Sequence, residues 1–335
     1  MERKHKLLNW QLATWTQLSK AKLAHTLPHA LLLWGTEHES LYYFGKLWLQ
    51  NLVCISKERD PQQGPCHQCT ACHWFTAATH PDFLELTPEG NSQWIQVDQA
   101  RTLVAFVQQT AASSGPKVVL IHPAENLNVN ASNALLKTLE EPPANTYILL
   151  LTTQPNRLAA TVRSRCRQQK LPQPTDMELV VWLKERGYDE NQIGLATGLA
   201  PGAPYTALHL IESNFAEFEP LASGLERLLM ASDSTSAVAE AFTKDQAIHL
   251  NWFSKLISLL IRRRLDPNRE VPEKLQLLSE YSEKVSVGRL IEYLDGISQQ
   301  HRLLQIHSGL NRQLAWEALL LEWQAMFRSD VSNQR

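Results

Sequence analysis

Short apolar runs recur at Ala30–Trp34, Phe83–Leu86, Lys117–Ile121 and Tyr147–Leu151, with a fifth near Gln168–Leu171, and the pattern stops there. Apolar residues at consecutive positions suit strands covered on both faces, the situation of a parallel sheet. Parallel neighbours cannot be joined by a tight hairpin, so the intervening segments must cross the sheet. Those segments have helical spacing. Leu41–Val53 is one, and Asp98–Thr110 places Leu103, Phe106 and Val107 on one face. In the stretch NVNASNALLKTLEEPP, Ala131, Leu135 and Leu139 fall at i, i+4 and i+8; Asn128 offers an N-cap, and Pro142-Pro143 forces an end. Residues 1–170 are therefore predicted to form a doubly wound α/β domain.

Beyond Leu171 the chain reads as helices only. Pro172 and Pro174 mark a linker, residues 171–212 form a small helical unit interrupted by LAPGAP (Leu199–Pro204), and residues 213–335 carry longer amphipathic helices. In Leu250–Arg264, Phe253, Ile257, Leu260 and Ile261 lie on one stripe; Leu314–Met326 is apolar over most of its circumference. Composition is that of an ordinary globular chain, with 44% hydrophobic and 20% charged residues, which excludes disorder and collagen. No apolar run approaches the 18 or so residues of a membrane helix, and MERKHKLLNWQ lacks a signal peptide's apolar centre, so a cytoplasmic protein is expected. Net charge is −2, unlike a generally basic nucleic-acid coat. Residues 1–170 carry 16 Lys+Arg against 12 Asp+Glu, and residues 171–335 carry 16 against 22.

Four of the five cysteines crowd together as Cys54, Cys66, Cys69 and Cys72, a spacing of C-x11-C-x2-C-x2-C. Cysteines separated by two residues present two thiolates from one tight turn, and four thiolates close a tetrahedral shell around Zn²⁺. A closed shell has no position for water, so the expected role is structural. Redox-active thiols are the alternative reading of C-x-x-C. His67, His73 and His80 lie nearby, but four cysteines make further ligands unnecessary.

A strand running into a loop and a helix invites a search for a phosphate loop, which needs glycines, a lysine and a Ser/Thr. Here the loop reads Gly35-Thr36-Glu37-His38-Glu39-Ser40: one glycine, no lysine, and two glutamates that repel phosphate. Gly45-Lys46 lies inside the helix and has the wrong spacing. The strand 118–121 runs into His122-Pro123-Ala124-Glu125 without the aspartate that would hold Mg²⁺. The fold is predicted to have a nucleotide enzyme's shape without its site.

SNALLKTLEEPP (Ser132–Pro143) and ILLLTTQPNRLAATVRSRC (Ile148–Cys166) resemble the corresponding segments of bacterial DNA polymerase III clamp-loader subunits, which are AAA+ proteins. The four-cysteine insert is similar to theirs, and Asn311–Trp323 resembles the last helix of their collar. Lacking the lysine, the chain looks like the delta prime type within that family. The resemblance implies a RecA-like AAA+ domain with a zinc-binding insert (54–72), a helical lid (171–212) and a helical collar (213–335). It implies no ATP site of its own, and partners comprising gamma/tau-type ATPase subunits, a delta-type subunit, the sliding clamp and primer-template DNA. It further implies that Arg165 of Ser164-Arg165-Cys166 is an arginine finger entering the ATP site of an adjacent subunit. A guanidinium suits that task because it stays charged and matches phosphate oxygens with a planar fork.

Thr152 or Thr153 then stands where a sensor residue belongs, and Gly202-Ala203-Pro204 lacks the lid's usual arginine. Cys166 is expected to be a small buried residue. Glu140-Glu141 is expected to be solvated charge at a helix end, and Arg262-Arg263-Arg264 a phosphate patch or a solvated helix end. Two rival readings are a gamma/tau-like ATPase with a divergent site and a stand-alone zinc-dependent DNA-binding module.

Overall fold

The structure is a computed structural model describing residues 6–56, 60, 63–90, 92–113, 115–266, 272–306 and 311–328. Parts of the loop between Cys54 and Cys66, the first five residues and the end of the predicted collar lie outside the described residues. The chain divides into two compact units, Met1–Pro174 and Thr175–Arg335.

In the first unit, α1 (Leu12–Leu23) leads into β1 (Ala30–Trp34), α2 (His38–Val53) and α3 (Thr70–Thr76). β2 (Phe83–Leu86), α4 (Val97–Gln108), β3 (Lys117–Ile121), α5 (Val129–Glu140), β4 (Thr146–Thr152), α6 (Ala160–Arg163) and β5 (Arg167–Lys170) follow. The strands form one parallel sheet in the order β2-β3-β4-β1-β5. The first three strands fall on their apolar runs, and β4 extends its run by one residue at each end. β5 begins one residue before the predicted run and reads RQQK, because as an edge strand it pairs on one side and faces solvent.

Side chains alternate along each strand, so one sequence feeds two cores. Leu32, Val119, Ile121, Ile148 and Leu150 pack against Leu103 and Val107 of α4 and Ala131, Leu135 and Leu139 of α5. Leu31, Leu33, Val118, Leu120, Leu149 and Leu151 face Trp15 of α1 and Leu41, Phe44 and Trp48 of α2. Gly45 allows α2 to lie close to the sheet: a Cβ there would stand 3.1 Å from a Leu149 methyl and 3.3 Å from those of Leu151. α5 starts where Asn128 caps it, its Oδ1 accepting from Ala131 N–H at 2.7 Å.

A buried ion pair ties β2 to β3. Asp82 is fully buried and accepts from the N–H groups of Ala112 (2.8 Å) and Ser113 (2.7 Å) and from the Ser113 hydroxyl (2.5 Å), with Lys117 Nζ at 3.4 Å. Burial alone would raise its pKa; the Ser113 hydroxyl, the two N–H groups and Lys117 outweigh this and hold it below the ordinary value.

The second unit begins after Pro172 and Pro174 with Thr175, whose side chain forms a reciprocal cap with Glu178 at the start of α7 (Asp176–Lys184). α8 (Glu190–Leu199) and α9 (Pro204–Glu212) follow, then α10 (Glu219–Leu229), α11 (Thr235–Thr243), α12 (Gln246–Leu265), α13 (Gln276–Glu283), α14 (Val287–Ile306) and α15 (Arg312–Arg328). α12 buries Leu250, Phe253, Leu256, Ile257 and Leu260 together with Trp252, a wider face than the predicted stripe, because α8, α11, α13 and α14 all pack on it. Trp316 and Trp323 of α15 are fully buried among Phe242, Phe253 and Tyr293, while Leu314 and Leu321 remain exposed.

The arginine run is not simply solvated. Arg262 donates to the Gly198 carbonyl at 2.6 Å and Arg264 to the Val285 carbonyl at 3.4 Å, so the end of α12 ties down its neighbours within this unit. Among the described residues, no helix is long and apolar enough to cross a membrane.

Replacing Asp82 by Asn should destabilise the first unit by about 3–5 kcal/mol, since it strands the Lys117 charge in the interior. Denaturant unfolding of the purified chain measures this, and a loss below about 1 kcal/mol would contradict it.

Candidate functional site

Three regions carry the chemistry. The first is the cysteine cluster. Cys54 follows the last residue of α2, Cys66 and Cys69 lie on the following loop, and Cys72 is buried in the first turn of α3. Cys54 Sγ lies 3.5 Å from Cys66 Sγ and 3.8 Å from Cys69 Sγ, and Cys66 Sγ lies 3.9 Å from Cys72 Sγ. All four sulfurs fall within 4.8 Å of one another. A tetrahedral metal with bonds of about 2.3 Å to sulfur requires edges of about 3.8 Å, so the four sulfurs fit such an ion.

The backbone prepares two of them, Cys66 and Cys69, for the anionic form. Burial raises the Cys66 thiol, but the N–H groups of Gln68 (3.5 Å) and Cys69 (3.3 Å) outweigh it and bring the pKa down to about 6. His80 is turned to other work, its Nδ1 accepting from Asp82 N–H at 3.1 Å. The cluster consists of the four cysteines, and His67 and His73 do not join it.

The second region lies at the carboxyl ends of β1, β2, β3 and β4, where an α/β sheet of this type binds ligands. Glu37 is buried at the start of α2 and accepts from the Ser40 hydroxyl; Thr36 donates to Gln173 at 2.7 Å. Lys46 does not reach the loop. It pairs with Glu85 of β2 at 2.9 Å and lies over the ring of Phe83. His122 meets the other oxygen of Glu85 at 2.7 Å, with the Tyr42 ring 4.7 Å away. Burial would raise Glu85, yet the bond to His122 and the charge of Lys46 bring it down to about 2. His38 is pushed down by burial and by the nearby His122. Thr153 donates N–H and hydroxyl to Glu125, and the fully buried Thr152 hydroxyl accepts from Gln154 N–H. The two threonines thus serve the loop itself.

The third region is at the opposite, amino edge of the sheet. α6 ends in a turn in which Ser164 Oγ donates to the Thr161 carbonyl at 3.1 Å, and Arg163 holds the Pro155 carbonyl at 3.1 Å. Cys166 enters the core just before β5, its thiol pushed up to about 12 by burial, which makes it a poor nucleophile. Arg165 stays partly exposed. Its Nη1 donates to the Thr161 carbonyl at 2.9 Å, its Nε donates to Glu140 Oε1 at 2.6 Å, and Nη2 reaches the same oxygen.

Glu140 is therefore not simply solvated charge. The sequence did carry a signal: an acidic side chain at a helix C-terminus opposes the macrodipole, so a cation is needed to hold it there.

A five-stranded parallel sheet with β1 between β4 and β5 and helices on both faces defines a doubly wound α/β domain, followed by a unit that is helical among the described residues. The family described as DNA polymerase III, delta subunit, matches residues 10–175, and that described as DNA polymerase III, delta subunit, C terminal, matches residues 214–325. DNA polymerase III subunit delta' of Pseudomonas aeruginosa is 35% identical over 324 residues, covering 95% of this chain and 97% of that protein. Its Escherichia coli K12 counterpart is 34% identical over 262 residues, or 76% and 78% of the two chains. DNA polymerase III subunit tau of Bacillus subtilis is 24% identical over 310 residues, or 90% of this chain and 53% of that one. The chain belongs to the DNA polymerase III delta prime family.

Because Glu85 sits below its ordinary value of 4.5 in the folded chain, its contribution is complete above about 4.5 and is lost as pH falls toward 2. Glu85→Gln should lower the unfolding midpoint at pH 7 while flattening its decline between pH 4.5 and the lowest pH at which the chain stays folded. Thermal unfolding across that range tests this; parallel curves for the two chains would refute it.

Proposed function

We propose that this chain, a clamp-loader subunit of DNA polymerase III by its family, lends Arg165 to the ATP site of a neighbouring subunit and hydrolyses no ATP itself. The observation that carries the reading is Arg165 itself: a partly exposed guanidinium on a turn anchored by Ser164, Arg163 and the buried Cys166. An arginine supplied in trans stabilises charge on the transferring phosphoryl group, an effect of about 10³–10⁵ in rate, or about 4–7 kcal/mol.

In this reading the chain's own crevice supports no phosphate. Lys46 is committed to Glu85, and Glu37 stands buried where a phosphate oxygen would need donors. Residues 171–212 serve as the lid and residues 213–335 as the collar that joins gamma/tau-type ATPases and a delta-type subunit. The assembly acts on the sliding clamp and primer-template DNA in the cytoplasm. The ion of the cysteine cluster is Zn²⁺, held by Cys54, Cys66, Cys69 and Cys72. It closes the excursion between α2 and α3 and takes no part in chemistry.

Clamp- and DNA-stimulated ATP hydrolysis by the reconstituted loader tests the finger. Arg165→Ala should remove the share of the rate that belongs to the adjacent site, leaving assembly intact; an assembled complex with an unchanged rate would sink the reading. Titration of the isolated chain with Mg·ATP should show no turnover, and micromolar binding with turnover would favour the gamma/tau-type alternative.

Elemental analysis should find about one zinc per chain, falling to near zero in Cys69→Ser. An unchanged zinc content in that variant would remove Cys69 from the ligand set.

A further inference from the structure

We propose that Glu140 is the positioning residue of Arg165, holding the guanidinium in the attitude in which it meets a neighbour's phosphate. The proposal rests on the reading of Arg165 given above and adds a residue to it. An arginine has five N–H donors. Here Nε and Nη2 engage Glu140 and Nη1 engages the Thr161 carbonyl, which leaves two donors for another acceptor. The guanidinium is thus gripped while it can still bind a second anion.

The grip has a rigid base. Glu140 is the last residue of α5, whose Ala131, Leu135 and Leu139 are buried in the sheet core. The preceding carbonyl, that of Leu139, is bonded at 2.8 Å to the ring of His29, just before β1. Arg165, by contrast, follows the four-residue α6 and has no regular element of its own. A long side chain on such a turn samples many rotamers unless something outside the turn selects one.

Helix energetics point the same way. A carboxylate in the last turn of α5 opposes the macrodipole, so removing its charge does not weaken the helix. Holding the finger accounts for its position where helix stability does not.

The test uses the reconstituted loader with four versions of this chain: wild type, Glu140→Ala, Arg165→Ala and the double variant. Glu140→Ala should lower the rate belonging to the adjacent site by about 10- to 100-fold, the scale of misplacing a catalytic group by about an ångström, with KM for ATP little changed. Glu140→Gln, which keeps an acceptor oxygen, should recover most of that loss. In the Arg165→Ala background, Glu140→Ala should have no further effect, because the two residues act as one device. The unfolding midpoint of Glu140→Ala should move by less than about 4 °C, as befits a partly exposed pair.

An unchanged or raised rate in Glu140→Ala beside a deficient Arg165→Ala would overturn the positioning role and leave the finger standing. Additive losses in the double variant would also overturn it, by making Glu140 structural. A silent Arg165→Ala would overturn the finger itself, and the positioning role with it. Independently of activity, the Arg165 Nε–H in the isolated chain should exchange slowly with solvent in NMR spectra and become fast in Glu140→Ala. Fast exchange in the wild type would refute the contact.

Discussion

Every feature of the first unit depends on covering a parallel sheet on both faces. Leu31, Leu32 and Leu33 of β1 are consecutive and all buried, so neither face of the strand can be left to water. That requirement brings α1 and α2 to one side and α4 and α5 to the other. It also returns each strand in the same direction, gathering all carboxyl ends along one edge and all amino ends along the opposite edge. The domain therefore has two chemically separate rims. On one lie Glu37, Glu85, His122, Glu125 and Thr153; on the other lie Arg165, Glu140 and His29.

The carboxyl rim is held together by its own side chains. A phosphate site needs unpaired donors facing an open space. Here Lys46 and His122 are bonded to Glu85, Ser40 to Glu37 and Thr153 to Glu125. Internal ion pairs and hydrogen bonds of this kind tie α2, β2 and β3 together at the crevice.

Much of this was legible because the responsible signals are local. Strand positions followed from apolar runs, α5 from Asn128 and the i, i+4, i+8 series, and the cysteine cluster from spacing. The missed features are contacts between segments distant in sequence. Glu140 and Arg165 are separated by β4 and α6, and nothing near Glu140 in the chain names its partner. Lys46 sits in a helix whose sequence does not say that Glu85 lies within reach across the sheet. Arg262 reaches Gly198 over a longer interval still, 64 residues. The edge strand β5 was displaced by one residue for a related reason: its RQQK sequence carries little apolar signal, and its position is set by pairing with Leu31–Trp34.

Separation of the two rims allows the chemistry of one to change without disturbing the other. Strands of four to seven residues at about 3.3 Å per residue place the rims roughly 13–23 Å apart, with a close-packed core between them. At physiological salt the Debye length is about 8 Å, so charges facing solvent on the two rims couple little over such a distance. Loss of the phosphate loop therefore imposes no electrostatic penalty on the arginine rim. A subunit whose neighbour docks against the amino edge can supply an arginine to that neighbour with its own crevice closed, provided the sheet holds that edge rigid. The double core around Leu31 and Leu32 supplies that rigidity, so the apolar runs that specify the fold also fix the place of the arginine turn.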